Sequence, residues 1–309
     1  MSDSPVRIGF VGVGGMGQSA HLRNYAELPE CTVCAIAEPL SELGKKVAAR
    51  YDVPKVYTDV DEMIKNEELD GIVASQQFTR HGEVILPLYR HGLPIFTEKP
   101  LAGSIEIGKK MLAALKDGGS WHMVGYHKRS EPAVVWAAAE TKRLKETGEL
   151  GPLKYIRILM PSGDWVAGGF RGGISVKIPS DMPPLTFDPG PEGMSDETAG
   201  RYVNFVNFYI HQVNLFRAFL DEPYAVSYAD PSGILLTAHT DSGIPMVLEM
   251  TPYSTTRDWQ ESVLVAFAKG WIKIDIPAPL ARNRSGSVEA FYDPGDGAEP
   301  RLITPRLPF

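Results

Sequence analysis

The sequence predicts an α/β protein: a doubly wound parallel sheet, then an α+β domain with a mostly antiparallel open sheet. Three observations predict it. Residues 1–125 alternate short apolar runs with amphipathic segments, the pattern of strands joined by crossover helices. That alternation stops near residue 125, where a long helical segment begins. From Ala225 onward apolar runs follow one another directly, separated by turn signals such as Asp230-Pro231-Ser232-Gly233 and Asp241-Ser242-Gly243.

Taken in order, strands are expected at Arg7–Val11, Thr32–Ala37, Lys55–Tyr57, Gly71–Ala74, Pro94–Thr97 and Trp121–Gly125. Helices are expected between them at Met16–Glu27, Ser41–Tyr51, Val60–Lys65, Gly82–His91 and Ile105–Lys116. A helix from Glu131 to Thr147 ends at the glycines 148 and 151, and a strand covers Leu153–Met160. The stretch Pro161–Gly200 is rich in Gly and Pro and has little periodicity, so a lid or the wall of a site is expected there. A helix at Tyr202–Phe219 precedes the run of strands. The domain boundary falls near 125, giving domains 1–125 and 126–309.

Composition narrows the function classes. A chain of 309 residues suits two domains. Thirty-one Lys and Arg against 38 Asp and Glu leave a net charge of −7, which offers no basic face for nucleic acid. No apolar run approaches the ~18–20 residues of a membrane helix. Met1–Val6 lacks the features of a secretory signal, and the two cysteines do not form a disulfide framework, so a cytoplasmic location is expected. Cys31 and Cys34 sit in a strand-like run and read as small buried core residues. His, Asp and Glu form no convincing cluster, so no metal is expected.

The loop after the first strand carries chemistry. Gly12, Gly14 and Gly17 fit G-x-G-x-x-G between a strand and a helix. The first glycine makes the tight turn, the second lets backbone approach a pyrophosphate, and the third lets the helix pack on the sheet. The second strand ends in Glu38, 21 residues past Gly17, where a carboxylate can accept hydrogen bonds from an adenosine ribose diol. It would repel a 2′-phosphate, and Pro39, Leu40 and Ser41 supply no arginine to offset it. NAD is therefore expected over NADP.

Two further features point to proton chemistry. Lys99, in Thr97-Glu98-Lys99-Pro100, stands at the carboxyl end of the fifth strand, the edge where open α/β sheets bind ligands. On the helix Tyr202–Phe219, Asn204, Asn207, His211 and Asn214 are spaced 3, 4 and 3 and form one narrow polar stripe on an otherwise apolar helix. Such a stripe is expected to face a polar, partly enclosed cavity, the alternative being a satisfied Asn/His network in the core or a short exposed face. His21 and His122 read as packing or surface residues.

These residues together resemble the Gfo/Idh/MocA oxidoreductases. Gly12-x-Gly14-x-x-Gly17, Glu98-Lys99-Pro100, Gly125-Tyr126-His127-Lys128-Arg129 and His211 carry the resemblance, which covers nearly the whole chain. It implies NAD(P)-dependent oxidation of a secondary alcohol, or reduction of a ketone, on a sugar, polyol or related molecule. It implies a catalytic Lys99, often with an unusual peptide bond before Pro100, and His211 as general acid/base, with substrate between the domains. It extends cofactor contact to Gly15, Met16, Ser75, Gln76, His81, Glu98 and Lys99. Tyr126, His127, Arg129, Trp165, Arg171, Arg201, Asn207 and Asn214 become candidates for substrate contact. A homodimer or homotetramer is expected on the same ground.

The sequence departs from the family pattern in three places. Asn207 and Asn214 stand where the family helix often carries Asp, and an amide orients a hydroxyl but takes no proton. Ser75-Gln76-Gln77 replaces the frequent Thr-Pro-Asn. The chain ends at Phe309 after strand-like sequence, where many members continue into helices, so the expectation is a compact branch or a truncated chain. Two other readings stand beside the dehydrogenase: an NAD-dependent glycoside-cleaving enzyme that works by transient oxidation, and a catalytically silent NAD-binding sensor.

Overall fold

The computed structural model describes residues 4–161, 163, 165–166, 172–250, 258–295 and 297–308. The chain divides into two compact units. One is Met1–Gly125 with Phe170–Asn207; the other is Tyr126–Gly169 with Phe208–Phe309.

The first unit is built on β1 (Val6–Val11), β2 (Cys31–Ala37), β3 (Lys55–Tyr57), β4 (Gly71–Ala74), β5 (Ile95–Thr97) and β6 (His122–Val124). Among the described residues these form one parallel sheet in the order β3-β2-β1-β4-β5-β6. The strand order reverses between β1 and β4, so the loops after these two strands diverge and leave a crevice at their carboxyl ends. Ile8, Phe10, Val33, Ile36 and Val73 pack on one core cluster, and Val11, Ala35, Ile72, Ala74 and Ile95 on another. That two-sided burial is what a parallel sheet with helices on both faces requires.

Local chemistry moves several helix boundaries. Gly82–His91 is not one helix: a short helix at His81–Val84 gives way to a 3₁₀ segment at Leu86–His91. Pro87 lacks an N–H and crowds the preceding turn, which breaks the α ladder. After the glycine loop, Gly17–Leu22 winds as a wide π-type turn before a single α turn at Arg23–Tyr25. Cys34 is buried as expected, but Cys31 is only half-buried. As the first residue of β2 it lies at the rim of the sheet, with Sγ 3.2 Å from the Tyr25 carbonyl oxygen.

The second unit holds β7 (Leu153–Leu159), β8 (Tyr224–Ala229), β9 (Leu235–Thr240), β10 (Pro245–Glu249), β11 (Ser262–Phe267), β12 (Gly270–Asp275), β13 (Ser287–Tyr292) and β14 (Arg301–Ile303). Their order is β14-β13-β12-β11-β7-β10-β9-β8, antiparallel except for the parallel pair β7–β10. Buried residues alternate along β7, β11, β12 and β13, so one face of the sheet is apolar. The helix Pro132–Thr147, capped by the Glu131 carboxylate, buries Ala133, Val134, Ala137 and Leu144 and packs on β12 and β13. No helix among the described residues is long and apolar enough to cross a membrane.

The helix bearing the polar stripe runs from Asp196 to Phe219, six residues earlier than its periodicity predicts. Ser195 Oγ accepts from Thr198 N–H at 3.3 Å, an N-cap, and Asp196 and Glu197 in the first turn favour the helix dipole.

Candidate functional site

The loop leaving β1 is held down at both ends. Gly12 N–H donates to the Ala37 carbonyl at 2.9 Å, and Gly12 adopts a left-handed φ of 83°. A Cβ on Gly12 would lie 2.2 Å from Gln76 Nε2, and one on Gly17 would lie 2.8 Å from the Gly12 carbonyl oxygen. A Cβ on Gly14 or Gly15 would meet nothing within 4 Å. The outer glycines therefore serve close packing, whereas Gly14 and Gly15 present bare backbone to open space beside a helix start. That is what a pyrophosphate needs. Met16, next in the loop, is exposed.

Glu38 is buried, and its carboxylate braces this loop. Oε2 accepts from Val13 N–H at 3.0 Å and Oε1 from Leu40 N–H at 3.1 Å. A carboxylate offers about four lone-pair sites, so it can brace the backbone and still receive a ribose diol. On the other side of the crevice, Ser75 N–H and Gln76 Nε2 both donate to the Val11 carbonyl, at 3.0 and 3.2 Å. The residues present fit a dinucleotide.

The segment Thr97–Pro100 leaves β5 with a cis bond between Lys99 and Pro100. Lys99 Nζ donates to the main-chain carbonyl of Asn207 at 2.7 Å. Glu98 Oε1 pairs with His21 Nε2 at 2.6 Å, and its Oε2 accepts from Lys99 N–H at 3.3 Å. Burial alone would raise the Glu98 carboxyl; the His21 hydrogen bond and the charges of His21 and Lys99 outweigh it and hold it below the usual carboxylate range. His21 thus stands at the carboxyl edge of the sheet, which corrects its reading as packing or surface. The signal was its place in the first turns after the glycine loop. His122 is a packing residue, its ring nitrogens shared by the Tyr89 and Thr97 hydroxyls at 2.6 and 2.7 Å. His81 is fully buried, with Nδ1 on the Leu101 carbonyl at 2.9 Å, so it ties the loop after β4 to the segment after Lys99. Burial pushes its imidazole pKa down.

The Gly/Pro-rich stretch returns to the first unit as a strap. Gln18 Nε2 donates to Val13 O at 2.7 Å and Ile174 O at 3.0 Å, while its Oε1 accepts from Ile174 N–H at 2.8 Å. Farther along, the Asp188 carboxylate accepts from Gly82 and Glu83 N–H at 2.7 and 3.0 Å. The strap is thereby pinned to the elements that follow β1 and β4. Neither Gln18 nor Asp188 stands out in sequence, because their partners are more than a hundred residues away.

In the second unit, His211 is half-buried; the His127 ring lies edge-on to it with centroids 4.5 Å apart, and the Tyr126 ring at 6.3 Å. Burial pushes the Tyr126 phenol up, with Arg217 opposing. Arg129 Nε donates to Asn214 Oδ1 at 2.7 Å, which fixes that amide. Asn204 and Asn207 are exposed, so the stripe passes from solvent to half-burial along its length. The structure does not gather every candidate. Arg201 is on the surface, in an i,i+4 pair with Glu197 at 2.8 Å. Trp165 is exposed, its N–H donating to Gly163 O. Arg171 lies outside the described residues. No group of three or more His, Cys, Asp or Glu able to hold a metal occurs among the described residues.

Comparison with known proteins places this geometry. Residues 6–126 match the oxidoreductase family with an NAD-binding Rossmann fold, GFO_IDH_MocA. The chain is 29% identical over 242 residues to scyllo-inositol 2-dehydrogenase (NAD(+)) of Bacillus subtilis, covering 77% of this chain and 65% of that protein. It is 28% identical over 152 residues to inositol 2-dehydrogenase 4 of Saccharopolyspora erythraea, covering 49% of this chain and 44% of that one. The matches therefore span less than two thirds of either relative. Among solved structures, myo-inositol 2-dehydrogenase from Lactobacillus plantarum superposes with a TM-score of 0.64 at 17% identity, over 87% of this chain and 76% of that one. At that identity the likeness concerns the fold alone.

Proposed function

We propose that this chain, whose residues 6–126 match the Gfo/Idh/MocA oxidoreductase family with its NAD-binding Rossmann fold, is an NAD-dependent dehydrogenase acting on a secondary alcohol or ketone of a polyol or sugar. The observation that carries this reading is Lys99 at the carboxyl end of β5, its Nζ donating to the Asn207 carbonyl at 2.7 Å beside the glycine-loop crevice of the same unit. Bound NAD supplies the hydride acceptor. Gly14 and Gly15 admit its phosphates, and Glu38 receives its ribose and disfavours a 2′-phosphate.

Lys99, oriented by the Asn207 carbonyl and flanked by Glu98, holds or relays the proton of the reacting hydroxyl. His211 serves as the acid/base group, its ring edge set by His127 and Tyr126. Asn207 and Asn214 orient neighbouring hydroxyls without taking a proton. The inositol dehydrogenases among the relatives support a polyol.

The experiment is a screen of inositols, sugars and polyols with NAD⁺, following NADH absorbance. Steady NADH accumulation on a cyclic polyol or sugar is expected, abolished by Lys99→Ala and strongly reduced by His211→Ala. Product release with no net NADH would replace the reading with glycoside cleavage. Intact NAD binding with no turnover across the panel would replace it with a sensor.

A further inference from the structure

Beside His211, and used by none of the chemistry above, lies a buried charged cluster of the second unit. Lys128 and Glu261 are each 3% exposed and Gln212 is fully buried. Lys128 Nζ makes an ion pair with Glu261 Oε2. Gln212 Nε2 donates to Glu261 Oε1 at 2.7 Å, and Trp259 Nε1 donates to Oε2 at 3.3 Å. One carboxylate thus takes donors from the turn His127–Ser130, from the helix Asp196–Phe219 and from the segment entering β11.

Glu261 itself stands on rigid ground. It immediately precedes β11, an inner strand, and its carbonyl accepts from Ile276 N–H at 2.8 Å, just past β12. The two side chains it grips are sequence neighbours of the two edge-on imidazoles: Lys128 follows His127, and Gln212 follows His211. In a 3₁₀ turn successive side chains fan out about 120° apart. Drawing Lys128 inward therefore turns His127 and Arg129 outward, and both are exposed while Lys128 is not. From there the His127 ring meets His211 at 4.5 Å and Arg129 reaches Asn214 at 2.7 Å. A buried ion pair is weak evidence for net stability, since apolar replacements of similar volume often do as well or better. Placement of its neighbours is the better account of this one.

We propose that Glu261 is a positioning residue: by holding Lys128 and Gln212 on one buried carboxylate, it sets the edge-on arrangement of His127 and His211. The inference rests on His211 being the acid/base group of the proposed function, and its test has a readout independent of turnover. Two variants are needed. Lys128→Met with Glu261→Gln removes both charges together and leaves no buried ion unpaired; Gln212→Leu cuts only the helix arm and leaves the ion pair intact. Thermal melts establish that each folds.

In the wild-type protein, NMR is expected to show a ring–ring NOE between His127 and His211. Both variants are expected to weaken it and to change the imidazole nitrogen shifts, with kcat lowered ~10- to 100-fold and KM moved less than about threefold. A folded variant that keeps the NOE, the imidazole shifts and kcat would overturn the proposal and leave Glu261 a structural charge. If the wild-type protein turns over no polyol, the functional reading fails, while the NOE and nitrogen shifts still decide whether Glu261 orients the imidazole pair.

Discussion

His21 and Glu98, 77 residues apart in sequence, meet at 2.6 Å where the glycine-loop helix passes the end of β5. Their side chains are only 13% and 15% exposed. The pair joins the helix after the glycine loop to the residue that precedes Lys99. His21→Ala is expected to cost ~1–3 kcal/mol of stability, because it leaves a buried carboxylate without its partner. It should also lower kcat/KM by loosening Lys99. The Glu98 carboxyl is held below its ordinary value, so the stability it contributes is present above the unfolded pKa and lost as pH falls through the lower folded one. Urea unfolding of the two proteins across acidic pH checks both points.

The glycine loop separates packing from binding. Gly17→Ala places a methyl 2.8 Å from the Gly12 carbonyl oxygen and is expected to destabilise by on the order of 1–3 kcal/mol. Gly14→Ala meets nothing within 4 Å and is expected to fold within about 0.5 kcal/mol of wild type. Its NAD affinity, measured by titration calorimetry, should nevertheless fall at least ~10-fold, because the methyl occupies the phosphate approach. Unchanged NAD affinity would remove the pyrophosphate from this loop.

Lys99→Ala and Lys99→Met remove the donor at the end of β5. A fall in kcat of ~10²–10⁴ is expected, with NAD binding retained. Lys99→Arg keeps the charge but carries a longer, planar head group, and is expected not to restore activity. Single-turnover kinetics separate this loss from one of substrate affinity.

His122 provides a pH test of the first unit's core. Burial, with the nearby His81, pushes its pKa from 6.5 down to about 4. A depressed histidine stabilises the fold above the unfolded pKa of 6.5, and that contribution is lost as pH falls toward about 4. The loss is roughly 1–3 kcal/mol after allowance for partial exposure. Denaturation midpoints should therefore drop between these pH values, and His122→Gln should flatten the drop. A variant profile as steep as wild type would place the titration elsewhere.

Local sequence by itself determined the periodic elements, the glycine loop and the residues at strand ends. Apolar runs of strand length and helical spacing are short-range signals, and so are the turn at Gly12 and the chain positions of Glu38 and Lys99. Even the helix carrying His211 was legible, except for its first turns, where Gly200 masked the Ser195 cap. What no local pattern specified was which distant side chains would meet. Only tertiary packing could decide that His21 pairs with Glu98, that Gln18 grips a strap 156 residues away, or that Lys128 and Glu261, 133 apart, bury their charges on each other. Each of those contacts depends on strand order and helix rotation accumulated over the intervening chain. A buried polar group takes whichever partner that packing brings within hydrogen-bond reach, because leaving it unpaired costs more than any local preference can offset.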